Sequence, residues 1–229
     1  IGEVTDYIRV LDRSGYFETV TLSEDDLKRN DMYRANAQRA KAQSRFADYH
    51  DYLLSLEMTA EIGDFSPLYL QRITQLTNKS NQFNLTTKRY TAEQMEAVYN
   101  SDEYIRLYGK LYDKFGDNGV VAVTIGKTDS EDKGRLDIEL WLMSCRVLKR
   151  DMELAMLDSL VAQAKKRGIR EIYGHYYPTA KNKMVAGLYE SFGFEKISQD
   201  EEGNTAWRLL VEGYEDKNTV IKVEEEHYA

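Results

Sequence analysis

The chemistry of this 229-residue chain starts from its only cysteine, Cys145, which stands in the segment LWLMSCRVLKRDM directly before Arg146. An apolar run ends there and a helical pattern follows, so we expect the thiol at the N-terminal side of a helix. The positive end of a helix dipole and an adjacent guanidinium both lower a thiol's pKa. The resulting thiolate can attack an acyl phosphate and later yield the acyl group to another thiol. A cysteine after an apolar strand is also a common core residue, so the residues alone leave both roles open.

Composition and charge exclude several functions. The chain carries 39 acidic and 31 basic side chains, and its net charge of −8 argues against nucleic-acid binding through a basic face. The longest apolar run, around residues 120–123, is too short to cross a bilayer. A single cysteine forms no internal disulfide, so we expect a cytoplasmic protein without a membrane partner. His50, His175 and His227 lack ligand spacing, so we expect no metal site and a core position for His175.

The elements that must position the cysteine begin with a predicted helical extension, residues 1–56, whose first long helix has Ser23 as its N-cap. From residue 57 to 212 the predicted order is strand, two helices, three strands, helix, strand, helix and two strands. A turn is expected at GDNG, a helix from Asp151 to Arg167, and another helix in TAKNKMVAGLYESFGF. An acidic tail, residues 213–229, closes the chain. We therefore expect an α/β domain with a mixed, mainly antiparallel sheet flanked by helices.

This order resembles the GNAT acyltransferase fold, in which a loop before one helix cradles a pyrophosphate and a later helix carries Asn and Tyr before Gly-Phe. The segment KNKMVAGLYESFGF supplies Asn182, Tyr189, Gly193 and Phe194 in that pattern. The resemblance implies that Tyr189 protonates or orients a departing thiolate as a general acid. It also implies that Asn182 contacts a pantetheine arm. The alternatives are a core tyrosine and an asparagine that serves the start of its helix.

Four stretches resemble the FkbH-like family of extender-unit biosynthesis: TNKSNQFNLTTKRYT, DKFGDNGVV, WLMSCRVL and YYPTAKN. The resemblance covers roughly residues 64–195. It implies an acyltransferase-like portion of a longer protein whose N-terminal HAD-type phosphatase core is absent from this sequence. In that family a glyceryl unit from 1,3-bisphosphoglycerate is loaded on an acyl carrier protein, and the phosphatase half removes the remaining phosphate. A cysteine holds the acyl group as a thioester, and Cys145 is the candidate here.

The loop after the cysteine departs from both families. GNAT proteins usually carry Arg/Gln-x-x-Gly-x-Gly/Ala, whose small residues let backbone amides approach a phosphate. The same register here gives Arg146, Lys149 and Asp151, so both glycine positions are replaced. The acidic residue argues against tight coenzyme A binding, and a cradle built from the side chains of Lys149 and Arg150 is the alternative. We expect no firmly held cofactor, and phosphopantetheine or coenzyme A is the group that this loop would meet.

Amides and hydroxyls concentrate in NKSNQFNLTTKRY, around the apolar Phe83 and Leu85. A substrate wall for the hydroxyls of a glyceryl group is one interpretation, and satisfaction of backbone groups in a long loop is the other. The candidate substrate-binding residues are Arg146, Asn81, Gln82, Asn84, Thr86 and Thr87.

The leading hypothesis is therefore an acyltransferase that carries a glyceryl-type group on Cys145 and delivers it to an acyl carrier protein for methoxymalonyl-type extender units. The expected partners are that carrier and the HAD-type phosphatase domain. Two alternatives remain open. One is an acetyl-coenzyme A-dependent N-acetyltransferase, and the other is a non-catalytic module that docks the carrier protein.

Overall fold

The computed structural model describes residues 29–225 of the chain. The chain divides into two units, with the boundary after Ser44. Helix α1 (Arg29–Gln43) is the described part of the first unit, and the predicted cap Ser23 lies outside the described residues. Helix α2 (Tyr49–Ser55) belongs to the second unit, and Asp48 caps it by accepting from the amide of Asp51. This division follows Ser44, whereas the sequence predicts a boundary after residue 56.

The second unit is built on one mixed sheet. The described strands are β1 (Thr59–Asp64), β2 (Phe83–Asn84), β3 (Tyr104–Asp113), β4 (Gly116–Thr128), β5 (Arg135–Met143), β6 (Glu171–Tyr176), β7 (Glu195–Gln199), β8 (Thr205–Leu210) and β9 (Lys222–Glu225). Their spatial order is β7-β8-β6-β5-β4-β3-β1-β9, with β2 paired to β5. Most neighbouring strands among them are antiparallel, and the two parallel pairs are β5–β6 and β1–β9. The expected mixed, mainly antiparallel architecture is confirmed.

Helices cover both faces of this sheet. Helix α3 (Pro67–Lys79) starts after the Ser66 cap, and α4 (Ala92–Tyr99) starts with a capping box on Thr91. Both contribute to a core with Tyr108 of β3. Neighbouring residues of a strand point to opposite faces, and the Cα of Gly109 lies against Met152 and Met156 of α5 (Met152–Lys166). The α3–α4 pair and α5 therefore lie on opposite faces, which we name the α3 face and the α5 face.

Two local predictions need correction, and one strand was missed. The β3–β4 turn is Lys114–Phe115, two residues before the expected place, because Asn118 is already a buried residue of β4 that donates to the Leu111 carbonyl. The predicted tail contains β9, which extends the sheet beside β1. Strand β2 was not predicted either, since two residues carry too little pattern to be recognised.

The last predicted helix is much shorter than expected. A 3-10 turn (Lys183–Val185) comes first, and α6 (Leu188–Ser191) is a single turn. Gly187, at φ −97° and ψ 9°, separates the two because its backbone leaves the helical region. Within residues 29–225, no helix has the length and apolar character needed to cross a membrane.

Candidate functional site

The sheet splits between β5 and β6. The two strands pair only from Arg135–Asp137 to residues 171–173. On its other edge, β5 shifts register against β4, with Ile138 opposite Gly126 and Leu140 opposite Ile125, so Glu139 is an extra residue. Such a bulge bends its strand, and β5 then diverges from β6. We name the resulting gap the split.

The split is filled by residues 83–86 of the same chain, which we name the bridging segment. Phe83 pairs with Met143 and the next residue pairs with Leu142, both in β5. The Leu85 amide donates to the Trp141 carbonyl at 3.1 Å. On the other side, the amide of Tyr177, just past β6, donates to the Leu85 carbonyl at 2.9 Å. The segment therefore joins both edges of the split through backbone hydrogen bonds.

Asn182 holds the bridging segment in place. Its side chain is fully buried, and its Nδ2 donates to the carbonyls of Asn84 and Tyr177, each at 2.9 Å. Its Oδ1 accepts from the amide and the hydroxyl of Thr179 at 2.7 and 3.0 Å. An asparagine amide offers two donors and two acceptor sites. These bonds use all of them, so none is left for the pantetheine contact expected from sequence.

Two of the expected substrate-binding residues hold the loop together. Asn84 is fully buried, and its Oδ1 accepts from the Thr87 amide at 2.9 Å. The hydroxyl of Thr86 is also buried and donates to the Glu139 carbonyl at 2.8 Å. Their polar groups satisfy backbone atoms, which was the alternative interpretation of this segment. Thr87 has a positive φ of 54°, and its backbone amide is the donor to Asn84.

The other candidates lie nearer to solvent. Gln82 is exposed, and Asn81 is half-buried and accepts from the Arg89 guanidinium through its Oδ1. Both precede the pair formed by Phe83 and Met143. Asn81 and Gln82 therefore lie at the end of the sheet where β5 stops and Cys145 follows.

Cys145 is exposed at this end of the sheet, just after β5. It opens a three-residue 3-10 helix (Cys145–Val147), in which the hydroxyl of Ser144 accepts from the Arg146 amide at 3.4 Å. Helix α5 starts only at Met152. The thiol therefore lies on the N-terminal side of the long helix, as expected, but an irregular loop separates it from the start of α5. The alternative of a core residue does not hold, since Cys145 is open to solvent.

The loop between the cysteine and α5 has an unusual backbone. Lys149 has φ 63° and Asp151 has φ 60°, both in the left-handed region. That region favours glycine, and these are the two positions at which the GNAT pattern carries small residues. The backbone therefore keeps a glycine-type conformation although neither residue is glycine. The Tyr49 hydroxyl donates to the Lys149 carbonyl at 2.6 Å, which ties the loop to α2.

Arg150 turns away from any anion that this loop would meet. Its guanidinium is buried and donates to Asp113 Oδ2 at 3.1 Å and to Asn118 Oδ1 at 3.5 Å. We name these three residues the clamp. The expected cofactor-binding role of Arg150 needs correction, because the charge of its side chain is compensated by a fully buried carboxylate of β3. Lys149 remains exposed.

Acidic groups occupy the N-terminus of α5. Burial raises the pKa of the Asp151 carboxyl, and His50 opposes the rise only in part. Burial also raises the pKa of Glu153, whose Oε2 has no hydrogen-bond partner among the described residues. Helix N-termini attract anions. Here the N-cap residue and the first turn of the helix each carry a carboxyl group, which disfavours a second negative charge nearby.

Tyr189 is a core residue. Its ring is about 1% exposed and packs against Phe194 and Trp207, with centroids 5.0 and 6.3 Å away. Burial raises the pKa of its hydroxyl, a contact with the His175 backbone opposes the rise, and no described group has hydrogen-bond geometry to it. The expected role as a general acid needs correction, since a hydroxyl enclosed in this way does not face a substrate.

A polar surface on the α3 face was missed by the sequence interpretation. Asp137 of β5 accepts from both the Nε and NH2 groups of Arg135 at 2.7 Å, and its Oδ1 is 3.3 Å from His175 Nε2. Although burial works to raise the pKa of Asp137, bonds from His175 and Arg135 hold it below its ordinary value. His175 is thus a partly exposed surface histidine and not a core residue. The alternation in RLDIE was the signal, because it places Arg135, Asp137 and Glu139 on one side.

A cavity of about 390 Å³ lies next to this surface. Lys88, Tyr90 and Glu139 form one wall, and the Tyr90 hydroxyl donates to Glu139 Oε2 at 3.1 Å. Burial and the neighbouring Glu139 raise the pKa of Tyr90. The bulge in β5 supplies Glu139, one of the two glutamates that line this cavity, and a carboxylate is a group that can accept a proton from a bound molecule.

Solved structures resemble this architecture. The ribosomal-protein-S18-alanine N-acetyltransferase from Escherichia coli matches with TM-score 0.51 and 13% identity over 70% of this chain and 99% of that chain. The GNAT domain of S. lividans PAT matches with TM-score 0.52 and 16% identity over 66% and 90%. The fold is GNAT-like. The structure of yncA from Salmonella typhimurium with its cofactor acetyl-CoA also matches, with TM-score 0.50 and 13% identity over 69% and 96%.

The sequence itself has no such match: no family model and no curated protein sequence matches the chain. At these identities the structural likeness shows the fold and not the reaction. Within the GNAT-like fold, the filled split, the exposed Cys145 and the acidic start of α5 are the features that any function must accommodate.

Proposed function

We propose that this chain is an acyltransferase portion that carries a glyceryl-type acyl group as a thioester on Cys145 and transfers it to an acyl carrier protein. The exposed thiol at the end of β5 is the observation that supports the proposal most. The GNAT-like fold supports acyl transfer as a class, because several of the similar structures are acetyltransferases by name. The resemblance to the FkbH-like family supports the glyceryl group, the carrier and the methoxymalonyl-type extender-unit context.

The reaction has two steps. The Cys145 thiolate attacks the acyl carbon of 1,3-bisphosphoglycerate, a C–S bond forms, and the C–O bond to phosphate breaks with release of inorganic phosphate. The thiolate of the carrier's phosphopantetheine then attacks the thioester carbon and the Cys145 thiolate leaves. The HAD-type phosphatase partner removes the phosphate that remains on the glyceryl group.

Asn81 and Gln82 are the expected residues nearest to the acyl group. They leave the sheet at the same edge as the thiol, and the exposed Gln82 carries an amide that can bind hydroxyl groups. Arg146 directly follows the thiol and supplies a cation for a phosphate or an oxyanion. Lys149, Lys181 and Lys183 are exposed, and their positive charge favours an acidic carrier protein.

The proposal is tested by intact mass after incubation with 1,3-bisphosphoglycerate, with and without the separately supplied HAD-type domain. The expected result is one acyl adduct that hydroxylamine removes, and none on Cys145→Ala. The variant Arg45→Ala is the matched control on an exposed side chain outside the site, and it should label like the wild type. Absence of an adduct, or equal labelling of Cys145→Ala, would contradict the covalent mechanism.

One observation favours acetyl transfer from acetyl-coenzyme A as a second candidate. The loop of Lys149 and Asp151 keeps the glycine-type backbone that lets amides approach a phosphate. The carboxylate of Glu139 would serve as general base for an amine in the neighbouring cavity. This candidate predicts saturable binding of acetyl-coenzyme A by calorimetry. Carrier binding that survives Cys145→Ala without any acyl transfer would instead indicate the third alternative, a docking module.

A further inference from the structure

The split is a place where an extended molecule can join the sheet. Its two edges present the Trp141 carbonyl on β5 and the Tyr177 amide beyond β6, which face each other across the bridging segment. Extended ligands that contain amide groups, such as a peptide or a pantetheine arm, bind sheets by adding hydrogen bonds at such edges. Here both edge groups are already bonded to Leu85.

The bridging segment is built into the protein on both sides. Phe83 and Leu85 are buried apolar residues, and Asn84 and Thr86 are buried polar residues. Alternation along an extended chain sends these two pairs to opposite sides. Every residue of the segment therefore has its side chain enclosed, which is typical of a core strand and not of a surface loop that rests on a binding site.

Two side-chain bonds fix the segment independently of the strand pairing. Asn182 donates to the Asn84 carbonyl from the chain that follows β6. Thr86 donates to the Glu139 carbonyl at the bulge, where the split begins. One bond anchors the segment to the β6 side and the other to the β5 side, so neither strand can separate without breaking one of them.

We propose that the bridging segment permanently closes the split, so that no thiol-bearing arm passes between β5 and β6. The inference rests on the proposed function in one respect: the carrier's phosphopantetheine must then reach Cys145 from the solvent-exposed edge where β5 ends. The arm of free coenzyme A would likewise find no place between these two strands. Asn182 is the residue that maintains the closure.

Residue-resolved amide hydrogen exchange of the Leu85 and Tyr177 amides tests the proposal, with coenzyme A and pantetheine as the probes. In the wild type, both amides should exchange slowly, and their exchange rates and chemical shifts should stay unchanged in excess of either probe. In Asn182→Ala, exchange at both amides should accelerate about tenfold or more, the factor that corresponds to about 1.4 kcal/mol. The matched control Asn204→Ala, at an exposed turn that bonds to Asp200, should leave both amides unchanged.

If Asn182→Ala does not fold, Thr86→Val serves in its place, because it removes the bond to Glu139 and keeps a side chain of similar size. A probe that accelerates exchange or shifts these two amides in the wild type would overturn the closure. Slow exchange in the wild type that neither variant changes would overturn the role of the two anchoring bonds. The Cys145→Ala variant should show the same amide protection as the wild type. The exchange experiment therefore tests the closure independently of the intact-mass experiment, which tests the acyl adduct.

Discussion

Replacing Lys149 by glycine should stabilise the protein. Lys149 has φ 63°, in the left-handed region where a β-carbon crowds the backbone and glycine does not. Its side chain is exposed, so its removal costs little packing. The hydrogen bond from the Tyr49 hydroxyl goes to the backbone carbonyl and does not need the side chain. The substitution therefore changes mainly the energy of the left-handed backbone conformation at residue 149.

The magnitude follows from two opposing contributions. A left-handed conformation costs an L-residue about 1–2 kcal/mol. Glycine has more conformational entropy in the unfolded chain, which lowers the free energy of unfolding by about 0.5–1 kcal/mol. The net increase in the free energy of unfolding is about 0–1.5 kcal/mol, so Tm should rise by up to about 6 °C in a domain of this size.

Urea unfolding and thermal unfolding followed by circular dichroism measure the effect. Lys149→Ala is the matched control, because it removes the same charge and keeps the β-carbon, so it should give no increase. Lys181→Gly is the second control, since this exposed lysine has no positive φ and should lose stability or remain neutral. If Lys149→Ala stabilises as much as Lys149→Gly, the backbone argument is refuted and the charge of Lys149 is the cause.

Three further predictions concern the surroundings of the site. Gly174→Ala should lower the free energy of unfolding in urea by about 1–3 kcal/mol, because the added β-carbon would lie 2.3 Å from the ring of the fully buried Tyr189. The control Gly187→Ala should change it little, because no atom lies within 4 Å of the added carbon there. Arg150→Met should cost about 3–5 kcal/mol because it leaves the carboxylate of the clamp buried without its cation; a variant as stable as the wild type would show that this carboxylate is solvated. For pH dependence, burial raises the pKa of Glu153 above its unfolded value of about 4.3. The free energy of unfolding should therefore fall as pH rises from about 4 through the raised value. Glu153→Gln should flatten that part of the profile, and an unchanged slope would contradict the assignment.

Much of the fold could be predicted from local patterns. The periodicity of Met152, Met156 and Leu160 predicts α5, and the cap and proline at Ser66 and Pro67 predict the start of α3. These signals work because helix periodicity and end capping depend on residues within a few positions of one another. The α6 region was overestimated for the same reason, since its local pattern is helical while Gly187 interrupts it.

The candidate site could be predicted only in part. The lone thiol at the end of a buried strand was visible, and so were the two replaced glycines of the loop. Their backbone conformation was not, because a lysine and an aspartate in the left-handed region contradict their own preferences. The surface of Asp137 and His175 was missed although its two residues belong to recognisable strands, since their proximity depends on the β5–β6 pairing.

By itself the sequence determined most of the order of helices and strands, the net negative charge and a single cysteine at the end of β5. Only the tertiary structure decided which polar groups are left for a ligand. Asn182 bonds to Asn84 across 98 positions, and Arg150 bonds to Asp113 across 37. The physical reason is that buried polar groups must be satisfied by whatever the fold brings near them. Asn182, Asn84 and Arg150, which the sequence suggested as ligand-binding residues, therefore form hydrogen bonds within the protein instead. Cys145 remains exposed.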